Sequence, residues 1–159
     1  MTNGSSIASI GRDVGAPWLA AWIADQLRSG AARRTDLTGV EGDVMHVYDS
    51  IGVDAALTST GEVWVCEYDF DTVEGNETTV TWHRALGLER LGFIVIASRH
   101  FAALRDLLPV RPPQATNCPA CRATGDWHVF SADRKESLRI RGMICKACGG
   151  MGWRDEPAA

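Results

Sequence analysis

Two pairs of cysteines constrain this chain of 159 residues more than any other feature of its sequence. Two residues separate the thiols within each pair, Cys118–Cys121 and Cys145–Cys148, and 23 residues (122–144) separate the pairs. A Cys-x-x-Cys turn presents two thiolates to one ion, and two such turns supply the tetrahedral set of four sulfurs that zinc prefers. The sequence therefore predicts one structural zinc ion bound by these four cysteines.

A redox or buried-thiol role is the alternative interpretation of the same cysteines. In a reducing cytosol, two such pairs are more typical of a metal site than of disulfides. Glycines after each pair also favour metal binding, because glycine allows positive φ and lets backbone N–H groups approach the sulfurs. The residues between the pairs predict a hairpin with strands at 127–130 and 138–144.

The sequence around each pair resembles a known repeat. The run Cys-Lys-Ala-Cys-Gly-Gly-Met-Gly that begins at Cys145 is similar to the Cys-x-x-Cys-x-Gly-x-Gly repeat of the DnaJ-type cysteine-rich zinc finger. The run that begins at Cys118 has Ala123 where the family has glycine. The resemblance covers residues 118–153 and implies half of the family's four-repeat domain, with one zinc. The His-Pro-Asp signature of the J domain is absent, so no co-chaperone activity is implied.

Charge and proline content divide the chain into parts. Residues 1–108 carry 8 arginines and 15 carboxylates, for a net charge of −7, whereas residues 109–159 carry +3. Three prolines within 109–117 predict a semi-rigid linker. We therefore expect an acidic domain over 1–108, a linker over 109–117, a four-cysteine zinc ribbon over 118–153 and a tail over 154–159. A fragment ending near Leu108 should then fold without zinc.

Local patterns predict an α+β fold, with a small antiparallel sheet and two or three helices ahead of the zinc ribbon. Apolar spacing and Gly30 indicate a helix over 17–29. Strand patterns occur at 44–48, 53–57, 62–70 and 78–82, and the second and third of these form a hairpin. The remaining segments predict a short helix over 83–91, a buried strand over 93–96, and a helix over 99–108 capped by Ser98.

An acidic face is the candidate binding surface. The stretch 41–77 contains ten carboxylates and no lysine or arginine. Alternation in the third strand places Cys66 on the inward apolar face, as a buried thiol that binds no metal, and Val65 on the outward face. Our hypothesis is that three carboxylates of the outward face dock a basic partner protein; the alternative is a solvated acidic surface. These carboxylates are Glu67, Asp69 and Asp71.

Other functional classes have weaker support. A basic cluster in the ribbon, beside aromatic side chains, would suit nucleic acid, but the acidic domain would repel it. The cluster contains Arg134, Lys135, Arg139 and Arg141. An immunity-type inhibitor of a nuclease toxin is a second alternative, by analogy of charge alone. The four histidines are scattered, and no catalytic triad, phosphate loop or dinucleotide fingerprint occurs, so we expect no enzyme.

The sequence also bears on location. The longest apolar stretch, 92–97, is far shorter than the roughly 20 residues that span a bilayer. The first residues lack the basic region and apolar segment of a signal peptide. We therefore expect a cytoplasmic zinc-binding protein, without enzymatic activity, that acts as a protein–protein interaction module.

Overall fold

A computed structural model describes residues 16–50, 53–67, 81–130 and 137–155. The chain is α+β and forms two compact units that divide between Ala85 and Leu86. We call the described residues up to Ala85 the sheet unit and those from Leu86 onward the cysteine unit.

The sheet unit consists of one helix followed by a four-stranded antiparallel sheet. The strands follow one another in the order β1-β2-β3-β4, each paired with its sequence neighbour. The helix ends at Gly30, whose φ of 78° is a left-handed conformation that glycine adopts without steric cost. The elements are α1 (Leu19–Ser29), β1 (Val44–Ser50), β2 (Val53–Thr58), β3 (Val63–Glu67) and β4 (Thr81–Ala85).

Apolar residues of the helix and of the sheet form the core of this unit. Leu19 and Ile23 are fully buried on α1, one turn apart. The predicted hairpin is confirmed, and it pairs Ala55 of β2 with Val65 of β3. The assignment of Val65 to an outward acidic face is wrong, because Val65 is fully buried. The sheet contributes Met45, Ala55, Ala56, Leu57, Val63 and Val65 to this core.

The cysteine unit contains one long helix, a short 3₁₀ helix and two small antiparallel pairings. Thr116–Asn117 pairs with Trp153–Arg154, and Asp126–Phe130 pairs with Ser137–Ile144, which confirms the predicted hairpin between the cysteine pairs. Within the described residues, neither α-helix has the length and apolar character needed to cross a membrane. The elements are α2 (Gly87–His100), the 3₁₀ helix (Ala102–Leu107), β5 (Thr116–Asn117), β6 (Asp126–Phe130), β7 (Ser137–Ile144) and β8 (Trp153–Arg154).

The predicted order of helix, strand and helix over 83–108 is wrong. Helix α2 runs unbroken through the apolar segment 93–96, and Gly92 lies inside it. A Cβ at Gly92 would lie 3.3 Å from Cγ2 of Ile144, so this glycine permits close packing instead of ending a helix. Ser98 also lies within α2, where its hydroxyl donates to the Val95 carbonyl at 2.7 Å and caps nothing.

Helix α2 belongs to the cysteine unit and packs within it. Leu91 of α2 and Trp153 of β8 are both buried in one apolar cluster. Arg99 donates to the Asp126 carboxylate at 2.9 Å, and this carboxylate is only 5% exposed. The segment 86–108 therefore groups with the cysteines. The linker over 109–117 and the zinc ribbon over 118–153 stay predictions.

Candidate metal centre

Two turns of nearly identical backbone geometry present the four cysteines. In the first turn the N–H of Ala123 donates to the Cys118 carbonyl at 3.1 Å, and in the second the N–H of Gly150 donates to the Cys145 carbonyl at 3.1 Å. Each turn then directs a glycine N–H at a sulfur. Gly125 donates to Sγ of Cys121 at 3.3 Å, and Gly152 donates to Sγ of Cys148 at 3.2 Å.

The two turns also pair with each other. The N–H of Cys118 donates to the Gly152 carbonyl at 2.9 Å, and the N–H of Cys145 donates to the Gly125 carbonyl at 2.9 Å. Cys118 and Gly125 of the first turn thus take the same roles as Cys145 and Gly152 of the second, which lie 27 positions later in the chain. This reciprocal pairing relates the turns by a local approximate twofold axis and brings the four side chains together.

The four sulfurs form one compact, buried group. Sγ of Cys118 lies 4.0 Å from Sγ of Cys145, and Sγ of Cys121 lies 3.8 Å from Sγ of Cys148. All four side chains are at most 1% exposed, and none forms a disulfide. Their sulfurs all lie within 4.8 Å of one another. The predicted convergence of the four cysteines is confirmed, and the cluster could hold one metal ion.

The chemistry of the cluster favours a bound cation. Burial raises the pKa of the Cys145 and Cys148 thiols, and the negative charges of neighbouring thiolates raise it further. Burial acts in the same direction on Cys118, but hydrogen bonds from the backbone N–H groups of Cys121 and Ala120 and from the side chains of Cys121 and Cys148 together lower the pKa of this thiol. A metal ion at the centre would stabilise all four thiolates at once.

Two consecutive residues in each turn have a left-handed backbone. The second turn has glycine at both positions, whereas the first turn has Ala123 where the resembled repeat has glycine. Gly149 and Gly150 have φ of 63° and 87°, and their counterparts Arg122 and Ala123 have φ of 52° and 63°. The predicted positive φ at the glycines is confirmed. The first turn adopts the same backbone without glycine at two positions, and such left-handed residues cost roughly 1–2 kcal/mol each.

Two glycines are required by close approach of the backbones. A Cβ at Gly125 would lie 2.3 Å from the Gly150 carbonyl oxygen, and a Cβ at Gly152 would lie 2.6 Å from the Ala123 carbonyl oxygen. Neither contact involves a side chain that could move aside. The twofold pairing of the turns therefore depends on the absence of side chains at Gly125 and Gly152.

Helix α2 forms part of the support for the second turn, and sequence reasoning missed this role. A Cβ at Gly149 would lie 3.0 Å from Cδ2 of Leu91, and a Cβ at Gly150 would lie 3.1 Å from Cγ1 of Val95. The available signal was Gly92, a glycine within an apolar run, which can mark close packing as well as a helix end.

The other predicted residues lie in the sheet unit or outside the described residues. Cys66 is 1% exposed in β3, and burial raises the pKa of its thiol, aided by the charges of Asp54 and Glu67. Its predicted burial is confirmed. Glu67 is exposed at the end of β3. Asp69 and Asp71 lie outside the described residues.

Arginines from outside the stretch 41–77 reach its carboxylates, which sequence reasoning did not foresee. The fold pairs Arg33 with Asp49 at 3.1 Å, Arg34 with Asp43 at 2.6 Å, and Arg84 with Glu62 at 3.4 Å. The acidic stretch is therefore partly neutralised in three dimensions, although its sequence contains no cation.

A second cluster of possible metal ligands lies in the sheet unit. One nitrogen of His46 and one carboxylate oxygen each of Asp49 and Asp54 lie within 4.8 Å of one another. The sequence interpretation treated the histidines as scattered, and it missed this group because the residues belong to two strands.

Comparisons with protein-family models, with curated proteins and with solved structures found no match to this chain. The four clustered cysteines are compatible with a zinc finger, and they do not by themselves identify the DnaJ type.

Proposed function

We propose that this chain is a zinc-binding protein without enzymatic activity, in which one structural zinc ion organises the cysteine unit and the whole chain serves as a protein–protein interaction module. The observation that carries this proposal is the closed set of four buried sulfurs. Zinc–sulfur bonds of about 2.3 Å in a tetrahedron place sulfurs about 3.8 Å apart. The separations of 3.8 and 4.0 Å between the paired sulfurs fit that geometry.

Ligand chemistry supports zinc and a structural role. Four thiolates are a soft donor set that suits zinc better than the hard cations magnesium and calcium. Four protein ligands also complete a tetrahedral shell, which leaves no position for a substrate or an activated water. Backbone N–H groups of Gly125 and Gly152 point at two of the sulfurs and would reduce the excess negative charge of a zinc–thiolate centre.

The proposal extends to a single-zinc version of the DnaJ-type finger. The positive φ values at Gly125, Gly150 and Gly152 support it, because they fall at glycines of the repeat. The left-handed Ala123 supports it as well, since this residue keeps the backbone of the position where the family has glycine.

We further propose that the acidic surface around Glu67, Asp69 and Asp71 docks a basic partner. Glu67 is exposed and, among the described residues, makes no ion pair, in contrast to Asp43, Asp49 and Glu62. Uncompensated charge of this kind accelerates encounter with a cationic protein, and the effect weakens as salt increases. The end of β3 is therefore the best candidate for the centre of the docking surface.

Elemental analysis of dialysed full-length protein, purified without chelator, tests the metal proposal. We expect one zinc ion per chain in the wild type and a loss of zinc in Cys148→Ser. Cys66→Ser is the matched control, because it removes a buried thiol outside the cluster and should retain zinc. A wild type without zinc, or equal zinc in the Cys148→Ser variant, would contradict the proposal.

Affinity capture with two charge-matched baits tests the partner proposal. The first bait replaces Glu67, Asp69 and Asp71 by Gln or Asn. The second bait replaces the exposed Asp25, Asp36 and Asp106 by Asn, which removes the same charge elsewhere. We expect a basic protein that the second bait and the wild type capture at low salt and the first bait loses. Equal capture by both baits would refute a docking surface at Glu67, and recovery of RNA or DNA instead would favour nucleic-acid binding.

A further inference from the structure

A β-bulge in the sheet unit places three metal-ligating side chains on one face. Residues three apart on a regular strand point to opposite faces. The register of β1 against β2 shifts between His46 and Tyr48, so the bulge at Val47 adds one residue and reverses the alternation beyond it. Asp49 therefore shares a face with His46. Asp54, which pairs directly with Asp49, lies on that face too.

The distances within this group suit the coordination of one ion. Nε2 of His46 lies 3.5 Å from Oδ1 of Asp54. Nitrogen and oxygen ligands at about 2.1 Å from a tetrahedral metal lie about 3.4 Å apart. The His46 side chain is 13% exposed and that of Asp54 is 29% exposed, whereas Asp49 is 61% exposed and stands at the open side of the group. Two ligands are thus held by the sheet, and the third faces solvent.

A protein cation already neighbours this group. Nη2 of Arg33 lies 3.1 Å from Oδ2 of Asp49 and 3.3 Å from each ring nitrogen of His46. The Arg33 guanidinium therefore contacts two of the three residues of the group and offsets the charge of Asp49. The Arg33 side chain is 68% exposed.

We propose that His46, Asp49 and Asp54 form a second metal site, separate from the four cysteines, which takes a divalent first-row transition metal in exchange for the Arg33 guanidinium. An imidazole with two carboxylates is a mixed donor set that suits Mn²⁺, Co²⁺, Ni²⁺ or Zn²⁺. The two carboxylates face the single positive charge of Arg33, so a divalent ion compensates them better than the arginine does. The remaining coordination positions face solvent and are open to water or a ligand.

Titration with Co²⁺ of the dialysed full-length chain, which retains one zinc ion at the cysteines, tests this inference. Calorimetry gives the affinity, and visible absorption identifies the site, because exchange of cobalt into the cysteine cluster adds a thiolate-to-metal charge-transfer band. Binding to the second site produces the weaker d–d absorption without that band. We expect one equivalent of Co²⁺ to bind in addition to the zinc.

Variants of exposed residues make the test decisive without threatening the fold. Asp49→Asn should abolish or strongly weaken Co²⁺ binding. Arg33→Gln should tighten it about thirtyfold, the factor expected when one positive charge about 4 Å from a divalent ion is removed in a water-like dielectric. His100→Asn is the matched control, because it removes an exposed imidazole from the end of α2 and should bind Co²⁺ as the wild type does.

Two results would overturn the proposal. The first is the absence of Co²⁺ binding beyond the cysteine cluster in both the wild type and Arg33→Gln. The second is equal Co²⁺ affinity in the wild type, Asp49→Asn and Arg33→Gln. Either result would make the group an ion-pair network, and neither would affect the zinc proposal, which depends on Cys148→Ser and on sulfur ligands.

Discussion

Gly125 and Gly150, one from each cysteine turn, meet backbone to backbone: a Cβ added at Gly125 would lie 2.3 Å from the Gly150 carbonyl oxygen. The same Gly125 donates its N–H to Sγ of Cys121 and accepts from the N–H of Cys145 through its carbonyl. One glycine thus connects the cysteine cluster to the pairing of the turns.

Gly125→Ala should weaken zinc binding severely. The substitution places a methyl group against a carbonyl oxygen and adds the roughly 1–2 kcal/mol cost of a left-handed alanine. Gly39→Ala is the matched control, since Gly39 has φ of 82° with nothing within 4 Å of its added Cβ. Competition with a coloured chelator measures the zinc affinity. Equal affinity of Gly125→Ala and Gly39→Ala would contradict the close approach of the turns.

Ala123→Gly should stabilise the cysteine unit by about 0.5–1 kcal/mol, because glycine relieves the strain of a left-handed alanine at φ of 63°. Ala120→Gly, in the same turn but without a positive φ, should instead destabilise by about 0.4–1 kcal/mol through the added freedom of the unfolded chain. Urea unfolding of the zinc-loaded variants measures both. A destabilised Ala123→Gly variant would contradict the left-handed assignment.

Removal of zinc should loosen helix α2 as well as the two turns. Gly149 and Gly150 pack against Leu91 and Val95, so loss of the second turn removes one side of the packing around α2. Amide hydrogen exchange before and after chelation measures the effect. We expect faster exchange in 87–100 and unchanged exchange in β2 and β3. Retained protection in α2 would instead support the sequence-based expectation that chain up to Leu108 folds without zinc.

Cys66 should resist alkylation while the protein is folded. Burial raises the pKa of its thiol, with a further contribution from the charges of Asp54 and Glu67. Because the folded-state pKa lies above the unfolded value of about 8.5, the neutral thiol favours the folded state at neutral pH. That contribution is lost as pH rises through the folded-state pKa.

Mass spectrometry after iodoacetamide treatment at pH 7 and 9 measures the alkylation of Cys66, with urea-unfolded protein as the control. Rapid modification of Cys66 with zinc retained would refute its burial.

Local sequence patterns were sufficient to predict some parts of the fold. The Cys-x-x-Cys spacing and the following glycines predict the convergence of the four sulfurs, because each turn is determined within eight residues. Hairpins β2–β3 and β6–β7 are likewise encoded by alternation and short connections. Gly30 ends α1 as expected, since the left-handed position favours glycine whatever the surroundings.

Tertiary packing determined the parts that sequence reasoning missed. The aromatic and β-branched residues of the run 93–96 favour a strand by propensity, but Ile94 and Val95 are buried on a helix that packs in the cysteine unit. Arg33, Arg34 and Arg84 approach the acidic stretch only because strand pairing brings distant residues together. The bulge at Val47 interrupts the alternation of side chains along β1, and a prediction that assumes strict alternation cannot detect it. The grouping of His46, Asp49 and Asp54 could therefore not be predicted.

The central claim is that a single zinc ion is held by four sulfur atoms, and zinc-edge X-ray absorption of the dialysed full-length protein tests it most directly. The account predicts four sulfur scatterers at about 2.3 Å and no nitrogen or oxygen in the first coordination sphere. In protein that retains one zinc ion per chain, a spectrum with nitrogen or oxygen ligands or with fewer than four sulfurs would contradict it, and so would the absence of a zinc edge.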